Sequence, residues 1–395
     1  MKDIKNKLLF VSLTFLLSSC SMILNFKSLP EPTGKYIIGT DLFTWEDTYR
    51  DEWFTKDKID NRKIVVQIWY PASEKSDSLY PYMDFPDIRV ESISESIGKS
   101  KNLIKPITKV KGNSYYKAKP ISDKFPIILF SHGLGGHKTQ NSINIEALVS
   151  SGYVVVAPDH TYDANITIFE DGSVSEYKSG LPVAELAKNP QLHSLSDDEA
   201  KAKIFWENRL PQLNIRAGDI KFIIDKLQTM KNHNLYSTLD FNKIGVFGHS
   251  FGGATSVVAS WNDTRISACL NLDGWFEPIV NDIINTGLKI PFCYIGQENW
   301  EKVPMNYSKL DNFYKNCQSE TYILKIKGTK HYDYADLPYF SKVGRMISSG
   351  KSVDEDFTIK ISNLIVGFFD EYLKKINFDW TENIVDHYDT IIKFK

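Results

Sequence analysis

The sequence predicts an α/β fold in which a mostly parallel central sheet carries helices on both faces. Short, continuous apolar runs, each long enough for one buried strand, alternate with segments long enough for a helix. Strands and helices that alternate in this way build parallel sheets through crossover connections. In such a sheet, the reactive groups belong at the carboxyl ends of the strands.

Each predicted element rests on a local pattern. Strands are predicted from apolar or β-rich runs at residues 63–70, 126–131, 153–158, 243–248, 266–272, 291–296 and 320–326. Helices are predicted at residues 139–150, 205–230 and 354–376, the last two from amphipathic spacing. The polar, irregular segment 161–199 is predicted to be an insertion or cap beside the site, with some helix of its own.

The amino terminus has the features of a lipoprotein signal peptide. Three lysines within the first seven residues precede an apolar run at residues 8–17. That run is shorter than the roughly 20 residues that span a bilayer, and it has the length of a signal-peptide core. It ends in Leu-Ser-Ser-Cys at residues 17–20, which resembles the bacterial lipobox. An ordinary secretory signal that happens to end near a cysteine is the alternative.

We therefore expect a signal peptide at residues 1–19 and lipidation at Cys20. Acyl chains on that cysteine would hold an exported protein on a membrane surface. Residues 20–35 are predicted to be a tether, and residues 36–395 a single catalytic domain. The chain is 42% hydrophobic and 24% charged, which suits a large buried core. Its formal net charge of −2 gives no indication of a nucleic-acid partner.

The motif Gly-His-Ser-Phe-Gly at residues 248–252 predicts a nucleophile elbow with Ser250 at its tip. The apolar strand at residues 244–247 runs directly into it, and small residues followed by an apolar segment at 257–259 leave it as a helix. Strand, tight turn and helix in this order are the setting that the elbow requires. The sequence therefore predicts a serine hydrolase of the α/β-hydrolase type.

A serine hydroxyl is a weak nucleophile and needs a base. In this fold class the order along the chain is serine, acid, histidine, and only His331 and His387 lie downstream of Ser250. His331 follows the last predicted strand, where a loop brings it over the sheet. His387 lies in the polar carboxyl-terminal tail. His331 is therefore the predicted base.

Two carboxylates could orient the imidazole of the base. Asp273 ends the predicted strand 266–272, and Glu298 follows the next strand. Both positions are used for the acid in this fold class, so order and placement favour Asp273 without excluding Glu298.

The oxyanion hole needs two backbone N–H groups that point at the tetrahedral intermediate. One is predicted at Phe251, directly after the nucleophile. The other is predicted at Leu134, in the glycine-rich stretch Ser-His-Gly-Leu-Gly-Gly at residues 131–136. This stretch does not match a phosphate-binding pattern. Since no Cys/His spacing indicates zinc, we expect neither a metal nor another cofactor.

At this point the chain resembles the platelet-activating factor acetylhydrolase family, the secreted serine-esterase branch of the α/β-hydrolases. The matching stretches recur in family order from about residue 36 to 376. They are Val66-Gln67-Ile68-Trp69-Tyr70-Pro71, Phe130-Ser131-His132-Gly133-Leu134-Gly135, Gly248-His249-Ser250-Phe251-Gly252-Gly253-Ala254-Thr255, Leu272-Asp273-Gly274-Trp275, and Lys327-Gly328-Thr329-Lys330-His331 with Ala335-Asp336 beyond.

The resemblance implies an α/β-hydrolase fold without a metal requirement. It implies that Ser250 is the nucleophile, Asp273 the acid and His331 the base, with Leu134 and Phe251 as oxyanion donors. It thereby decides between the two candidate acids. Members of this family cleave short or oxidatively truncated acyl chains from the sn-2 position of phospholipids, whereas related bacterial proteins act on simpler esters.

Two other functions compete with a phospholipid-directed acetylhydrolase. One is a general short-chain esterase that acts on acetylated glycans, xenobiotics or polyesters. The other, from a different class, is a non-catalytic binding lipoprotein on the cell surface. The presence of a complete serine, acid and histidine set argues against the binding protein, because a degenerate copy should lose members of the set.

Overall fold

A computed structural model describes most of the chain, namely residues 26–55, 60–178, 209–300, 304–385 and 387–395. The predicted signal peptide at residues 1–19, the predicted lipidation site Cys20, and residues 179–199 of the predicted insertion lie outside the described residues.

The described residues contain thirteen strands, numbered β1 to β13 along the chain. They are Ile37–Asp51, Asn61–Ala72, Leu79–Pro81, Lys111–Tyr116, Phe125–Ser131, Val154–Asp159, Ile166–Ile168, Val174–Glu176, Leu239–His249, Ile266–Leu272, Phe292–Gln297, Thr321–Ile326 and Thr390–Phe394. Eleven of them form one sheet in the order β13-β12-β11-β10-β9-β5-β6-β2-β1-β4-β3. The six strands from β12 to β6 in this order pair in parallel, and β2 and β13 flank them antiparallel. The predicted mostly parallel central sheet is confirmed.

Ten α-helices, numbered α1 to α10, surround the sheet in the described part of the chain. They are Pro86–Ile97, Lys101–Ile104, Ser142–Ser150, Leu210–Thr229, Phe251–Asn262, Asn281–Thr286, Pro304–Asn316, Leu337–Phe340, Lys342–Ser348 and Phe357–Phe369. Shorter helical turns stand at residues 105–109, 234–238, 331–334, 370–374 and 381–385. Within the ranges that the structure describes, no helix is both long and apolar enough to cross a membrane.

The central strands are continuously apolar because both faces of the sheet are buried. In β5, Ile127 and Leu129 contribute to the core beneath α4, α5 and α7. The alternate residues Ile128 and Phe130 contribute to the core beneath α3 and α10 on the opposite face. Helices therefore cover both faces, as predicted from the alternation of strands and helices.

The register of the parallel strands brings their carboxyl ends to one edge. Ser131 at the end of β5 pairs with Gly248 of β9, and His249 at the end of β9 pairs with Leu272 of β10. Loops that leave these strands therefore start side by side, which is the arrangement that builds sites in open α/β sheets.

The predicted tether is folded against the domain in its described part. Leu29 is buried, and its N–H donates to the carbonyl of Lys111 at 2.9 Å. The Asn113 side chain donates to the carbonyl of Pro30 at 2.9 Å. Packing therefore begins upstream of residue 36, where the sequence pattern placed the start of the domain, because residues 26–30 contain apolar side chains that the domain can cover.

The described part of the predicted insertion, residues 161–178, forms a turn and then the two-stranded hairpin β7–β8. It contains no helix, and residues 161–169 are largely buried against the domain. This part supports the neighbouring loop rather than standing apart from the fold as a separate cap.

A buried ionic cluster ties β2 to α4 beneath the site edge. Arg62 donates from Nε and Nη2 to the Asp219 carboxylate at 3.1 and 2.7 Å, and from Nη1 to Glu52 at 2.9 Å. Arg50 and His160 donate to the same aspartate, each over less than 3 Å. Asp219 is inaccessible to solvent, so three charged or polar partners depend on one buried carboxylate.

We expect Asp219→Ala to lower the free energy of unfolding by about 3–5 kcal/mol, because it leaves Arg62 buried without its main compensating charge. Asp225→Ala on the same helix is the matched control. Asp225 pairs with Lys221 and Arg265 nearer the surface, where such pairs contribute about 0–1 kcal/mol. Urea unfolding of the two variants and the wild type measures the difference. Equal losses in both variants would contradict this account of the cluster.

Candidate active site

The turn at Ser250 connects β9 directly to α5. Ser250 has φ 58° and ψ −121°, a conformation that residues with a side chain adopt only under strain. Two backbone hydrogen bonds of 3.0 Å hold it: its N–H donates to the carbonyl of Leu272, and its carbonyl accepts from the N–H of Trp275. The strained turn lifts the hydroxyl above the carboxyl ends of the strands.

The glycines of the elbow are required by close backbone contacts. A Cβ atom on Gly252 would lie 1.8 Å from the carbonyl oxygen of Ser131, and one on Gly248 would lie 2.2 Å from the carbonyl oxygen of Gly252. Both distances are far below any contact between a side chain and backbone. Helix α5 can therefore approach β5 only with glycine at these positions.

The structure brings the three residues predicted for catalysis into one hydrogen-bonded chain. Ser250 Oγ lies 2.8 Å from His331 Nε2, and His331 Nδ1 lies 2.6 Å from Asp273 Oδ2. His331 stands at the start of the turn after β12 and is partly exposed, whereas Asp273 is completely buried. The chain can pass a proton from the hydroxyl to the imidazole while the carboxylate orients the ring.

The alternatives do not take part in this chain. Glu298 is exposed after β11, while its neighbour Gln297 is the residue that contacts Asp273. His387 precedes the edge strand β13, and the imidazole that reaches Ser250 is that of His331.

The Asp273 carboxylate is surrounded by donors. Oδ2 accepts from His331 Nδ1 and, at 2.8 Å, from the side chain of Gln297. Oδ1 accepts from Tyr294 Oη at 3.0 Å, from the Gln297 N–H at 3.0 Å and from Trp300 Nε1 at 3.1 Å. Burial alone would raise the pKa of Asp273, but the hydrogen bonds from His331, Trp300 and Gln297 outweigh it and hold the pKa below its usual range. The Asp273 carboxylate is therefore charged at neutral pH, where it can stabilise a protonated imidazole.

Trp300 contacts both partners of this pair. Its ring also stands edge-on to the His331 imidazole, with 5.0 Å between the ring centres. The motifs did not predict Tyr294, Gln297 or Trp300 at the site. The available signal was that they lie on or just after β11, which pairs with β10, and Asp273 directly follows β10.

The loop that contains Leu134 is held against the described part of the insertion. The N–H of Gly135, which has φ 64°, donates to the carbonyl of Asp163 at 3.1 Å, and the N–H of Asn165 donates to the carbonyl of Gly136 at 2.8 Å. Among the described residues, no acceptor binds the N–H of Leu134. That group remains available to an oxygen at the site.

Phe251 is the first residue of α5, and the first N–H groups of a helix have no partner within the helix. The same helix end favours negative charge through its dipole. A Cβ on Gly133 would lie 3.3 Å from Ser250 Cβ, so the Leu134 loop passes directly beside the nucleophile. Both residues predicted as oxyanion donors therefore lie next to a residue that adjoins the nucleophile or directly follow it: Leu134 follows Gly133, and Phe251 follows Ser250.

A second Ser–His–Asp chain lies beneath this loop and has a different character. Ser131 Oγ lies 2.8 Å from His160 Nε2, and His160 Nδ1 lies 2.8 Å from Asp219 Oδ2. All three residues are inaccessible to solvent, and Arg216 donates to the same Ser131 hydroxyl at 3.0 Å and to the carbonyl of His132. Burial lowers the pKa of His160 to about 3. This chain supports the base of the loop and cannot meet a substrate.

Within the part of the chain that the structure describes, no group of three or more His, Cys, Asp or Glu side chains is placed to hold a metal ion. Cys269, Cys293 and Cys317 are free thiols buried in the core.

Comparisons with known proteins identify the family of this chain and its fold. The sequence profile of the family described as platelet-activating factor acetylhydrolase, isoform II, matches residues 23–392. The platelet-activating factor acetylhydrolase of Cavia porcellus is 26% identical over 388 residues, which span 91% of this chain and 81% of that protein. The enzyme of the same name from Canis lupus familiaris is 27% identical over 383 residues, with the same two coverages.

Among solved structures, a ferulic acid esterase from Streptomyces cinnamoneus has a TM-score of 0.71 and covers 94% of this chain and 99% of its own. At 23% identity this likeness bears on the fold, and it confirms the predicted α/β-hydrolase architecture. Because the family profile spans nearly the whole chain, the protein belongs to the platelet-activating factor acetylhydrolase, isoform II family, as its sequence motifs predicted.

Proposed function

We propose that the protein is a serine ester hydrolase in which Ser250 is the nucleophile, His331 the general base and Asp273 the residue that orients the base. The proposal rests on the hydrogen-bonded chain from Ser250 Oγ through His331 to Asp273, with both distances below 3 Å. Membership of a family of ester hydrolases supports the same chemistry.

In the first half of the reaction, Ser250 Oγ attacks the ester carbonyl carbon while His331 Nε2 takes the hydroxyl proton. The carbonyl oxygen becomes an oxyanion that accepts hydrogen bonds from the N–H groups of Leu134 and Phe251. His331 then gives its proton to the departing alcohol, and the acyl group remains on Ser250. In the second half, a water molecule takes the place of the alcohol and releases the acid.

For the substrate we propose a phospholipid with a short or truncated acyl chain at the sn-2 position. The relatives from guinea pig and dog, each named a platelet-activating factor acetylhydrolase and each aligned over 91% of this chain, support this choice. If the enzyme instead preferred simple short-chain esters, the proposed ester hydrolysis would stand and the proposed phospholipid substrate would not.

Ser250→Ala should reduce hydrolysis of 4-nitrophenyl acetate and of a 1-alkyl-2-acetyl phosphocholine lipid by a factor of about 10³ or more, because no other group can form the acyl-enzyme. Ser260→Ala is the control, since this serine lies on the same helix and its hydroxyl donates to the carbonyl of Ser256. The measurement is kcat/KM of each protein on both esters, with a long-chain sn-2 phospholipid as the third substrate.

A Ser250→Ala protein that keeps more than a few percent of wild-type activity would contradict the assignment of the nucleophile. Equal rates of the wild type on the short and long sn-2 chains would contradict the substrate proposal and leave the chemistry intact. An inactive wild type that also fails to react with a fluorophosphonate would favour the non-catalytic binding protein.

On the acid side of its pH profile, kcat/KM should depend on the protonation of a single group. A general base takes the hydroxyl proton only in its unprotonated form, so kcat/KM should fall at low pH. The pKa of Asp273 lies below its usual range, and burial, followed by the neighbouring His331, lowers the pKa of His249 to about 3. Neither Asp273 nor His249 therefore changes charge near neutral pH. Log kcat/KM should rise with a slope of about one, and a slope of two would show a second titrating group.

We further propose that the protein is exported and anchored to a membrane through lipid on Cys20. The basic start, the short apolar run and the Leu-Ser-Ser-Cys sequence at residues 17–20 support this. An enzyme held at a membrane surface would work where phospholipid esters are concentrated.

Cys20→Ser should move the protein from the membrane fraction to the soluble fraction, because the lipid attaches to that sulfur. Immunoblots of fractionated cells measure the distribution. Ser21→Ala, a neighbouring change that leaves the thiol in place, is the control. An unchanged distribution of the Cys20→Ser protein would contradict the anchor.

A further inference from the structure

The side chain of Gln140 connects two loops of the site. Its Oε1 accepts the N–H of Gly133 at 2.7 Å, and its Nε2 lies 3.1 Å from Nδ1 of His249. Its backbone carbonyl accepts from the N–H of Asp336 at 3.2 Å, five residues beyond His331. Gln140 therefore touches the Leu134 loop, the nucleophile elbow and the segment that follows the base.

His249 continues this connection to the base itself. Its Nε2 lies 2.9 Å from the carbonyl oxygen of His331, and the two imidazole rings are tilted by 31° with 4.7 Å between their centres. His249 is almost completely buried, and burial is the main reason why its pKa falls to about 3. The ring is therefore neutral at physiological pH.

The direction of the hydrogen bonds follows from their end points. A carbonyl oxygen can only accept, so His249 Nε2 carries the hydrogen and Nδ1 is the acceptor. Gln140 then donates to Nδ1 through its amide nitrogen and accepts from the Gly133 N–H through its amide oxygen. Every donor in this chain has one acceptor, and reversing the amide would leave two acceptors facing each other.

We propose that Gln140 and His249 are positioning residues that fix the Leu134 loop and the His331 backbone relative to each other across the nucleophile elbow. Asp273 and Ser250 hold the two ring nitrogens of His331, whereas His249 holds its main chain. The two residues contact no reacting atom. The inference rests on the proposed ester hydrolysis, since it assigns a role within that reaction.

The close packing at Gly133 leaves the Leu134 loop little room to move relative to Gln140 and His249. A Cβ there would lie 3.3 Å from His249 Nδ1 and 3.4 Å from Gln140 Nε2, so the loop backbone is in contact with both members of the chain. A shift of either hydrogen bond would move the neighbouring Leu134 N–H. We therefore expect losses in kcat, where the oxyanion and the base act together, with little change in KM.

Paired substitutions of His249 test the proposal. In His249→Gln, the new amide nitrogen can take the position of Nε2 and donate to the His331 carbonyl. In His249→Asn the shorter amide reaches only the position of Nδ1, and His249→Phe keeps the ring but has no donor. We expect kcat to fall about tenfold in the Asn and Phe variants and by less than about threefold in the Gln variant, on the scale of one lost hydrogen bond to a buried group.

Gln140→Met, which keeps the length of the side chain and removes both hydrogen bonds, should also lower kcat by about fivefold to tenfold. In the His249→Phe background the same change should cost less than about twofold, because the chain is already broken. His233→Phe is the control, since this histidine packs against Phe43 away from the site. Melting temperatures measured in parallel separate lost positioning from lost folding.

The proposal would be overturned if the Gln, Asn and Phe variants of His249 had equal kcat values, or if the losses at Gln140 and His249 multiplied in the double variant. The rate at which Ser250 reacts with a fluorophosphonate provides a second readout that needs no ester. If the fluorophosphonate reacts more slowly with the Asn and Phe variants of His249 but not with the Gln variant, the positioning role is supported even when an ester is a poor substrate. A wild-type Ser250 that does not react would overturn this inference together with the proposed function, whereas unchanged variants of an active enzyme overturn only the inference.

Discussion

The backbone contact between helix α5 and the end of strand β5 is the constraint on which the site depends. Gly252 lies so close to the carbonyl of Ser131 that a single carbon atom would not fit between them. This contact holds the start of helix α5, with Phe251, against the end of β5, from which the Leu134 loop leaves. Both groups proposed as oxyanion donors are backbone N–H groups, so neither depends on a flexible side chain.

The buried polar cluster below the Leu134 loop contributes more to the position of that loop than to the stability of the fold. Arg216 is buried, binds the Ser131 hydroxyl and pairs with Asp163 at 2.9 Å, while Asp219 gathers Arg62 and His160. Replacing buried ion pairs with apolar residues is often neutral or stabilising, so their net contribution to folding is small. Their contacts are directional, however, and they end on the backbone atoms from which the Leu134 loop starts. An apolar core would pack equally well without fixing that direction.

The sequence contains enough information to predict the parts of the protein that depend on local pattern. Seven strands, the elbow and the loop at Leu134 follow from apolar or β-rich runs and glycine spacing, and the family follows from the motifs. The donors around Asp273 could not be predicted in the same way, since Tyr294 and Trp300 reach it from another strand and loop. The hydrogen bond from His249 to His331 spans 82 residues, and no local pattern encodes it. The packing of residues 26–30 on the domain could not be predicted for a similar reason. This short segment has no periodic pattern, and its contacts depend on the surface of the domain that covers it.

We propose that Ser250, His331 and the backbone N–H groups of Leu134 and Phe251 act on one tetrahedral centre. A crystal structure of the protein after reaction with an alkyl fluorophosphonate tests it most directly, because the adduct mimics the tetrahedral intermediate. We expect phosphorus bonded to Ser250 Oγ, with one phosphoryl oxygen about 2.7–3.1 Å from the N–H groups of both Leu134 and Phe251. A phosphonyl group on another residue, or an oxygen that turns away from those two groups, would contradict it.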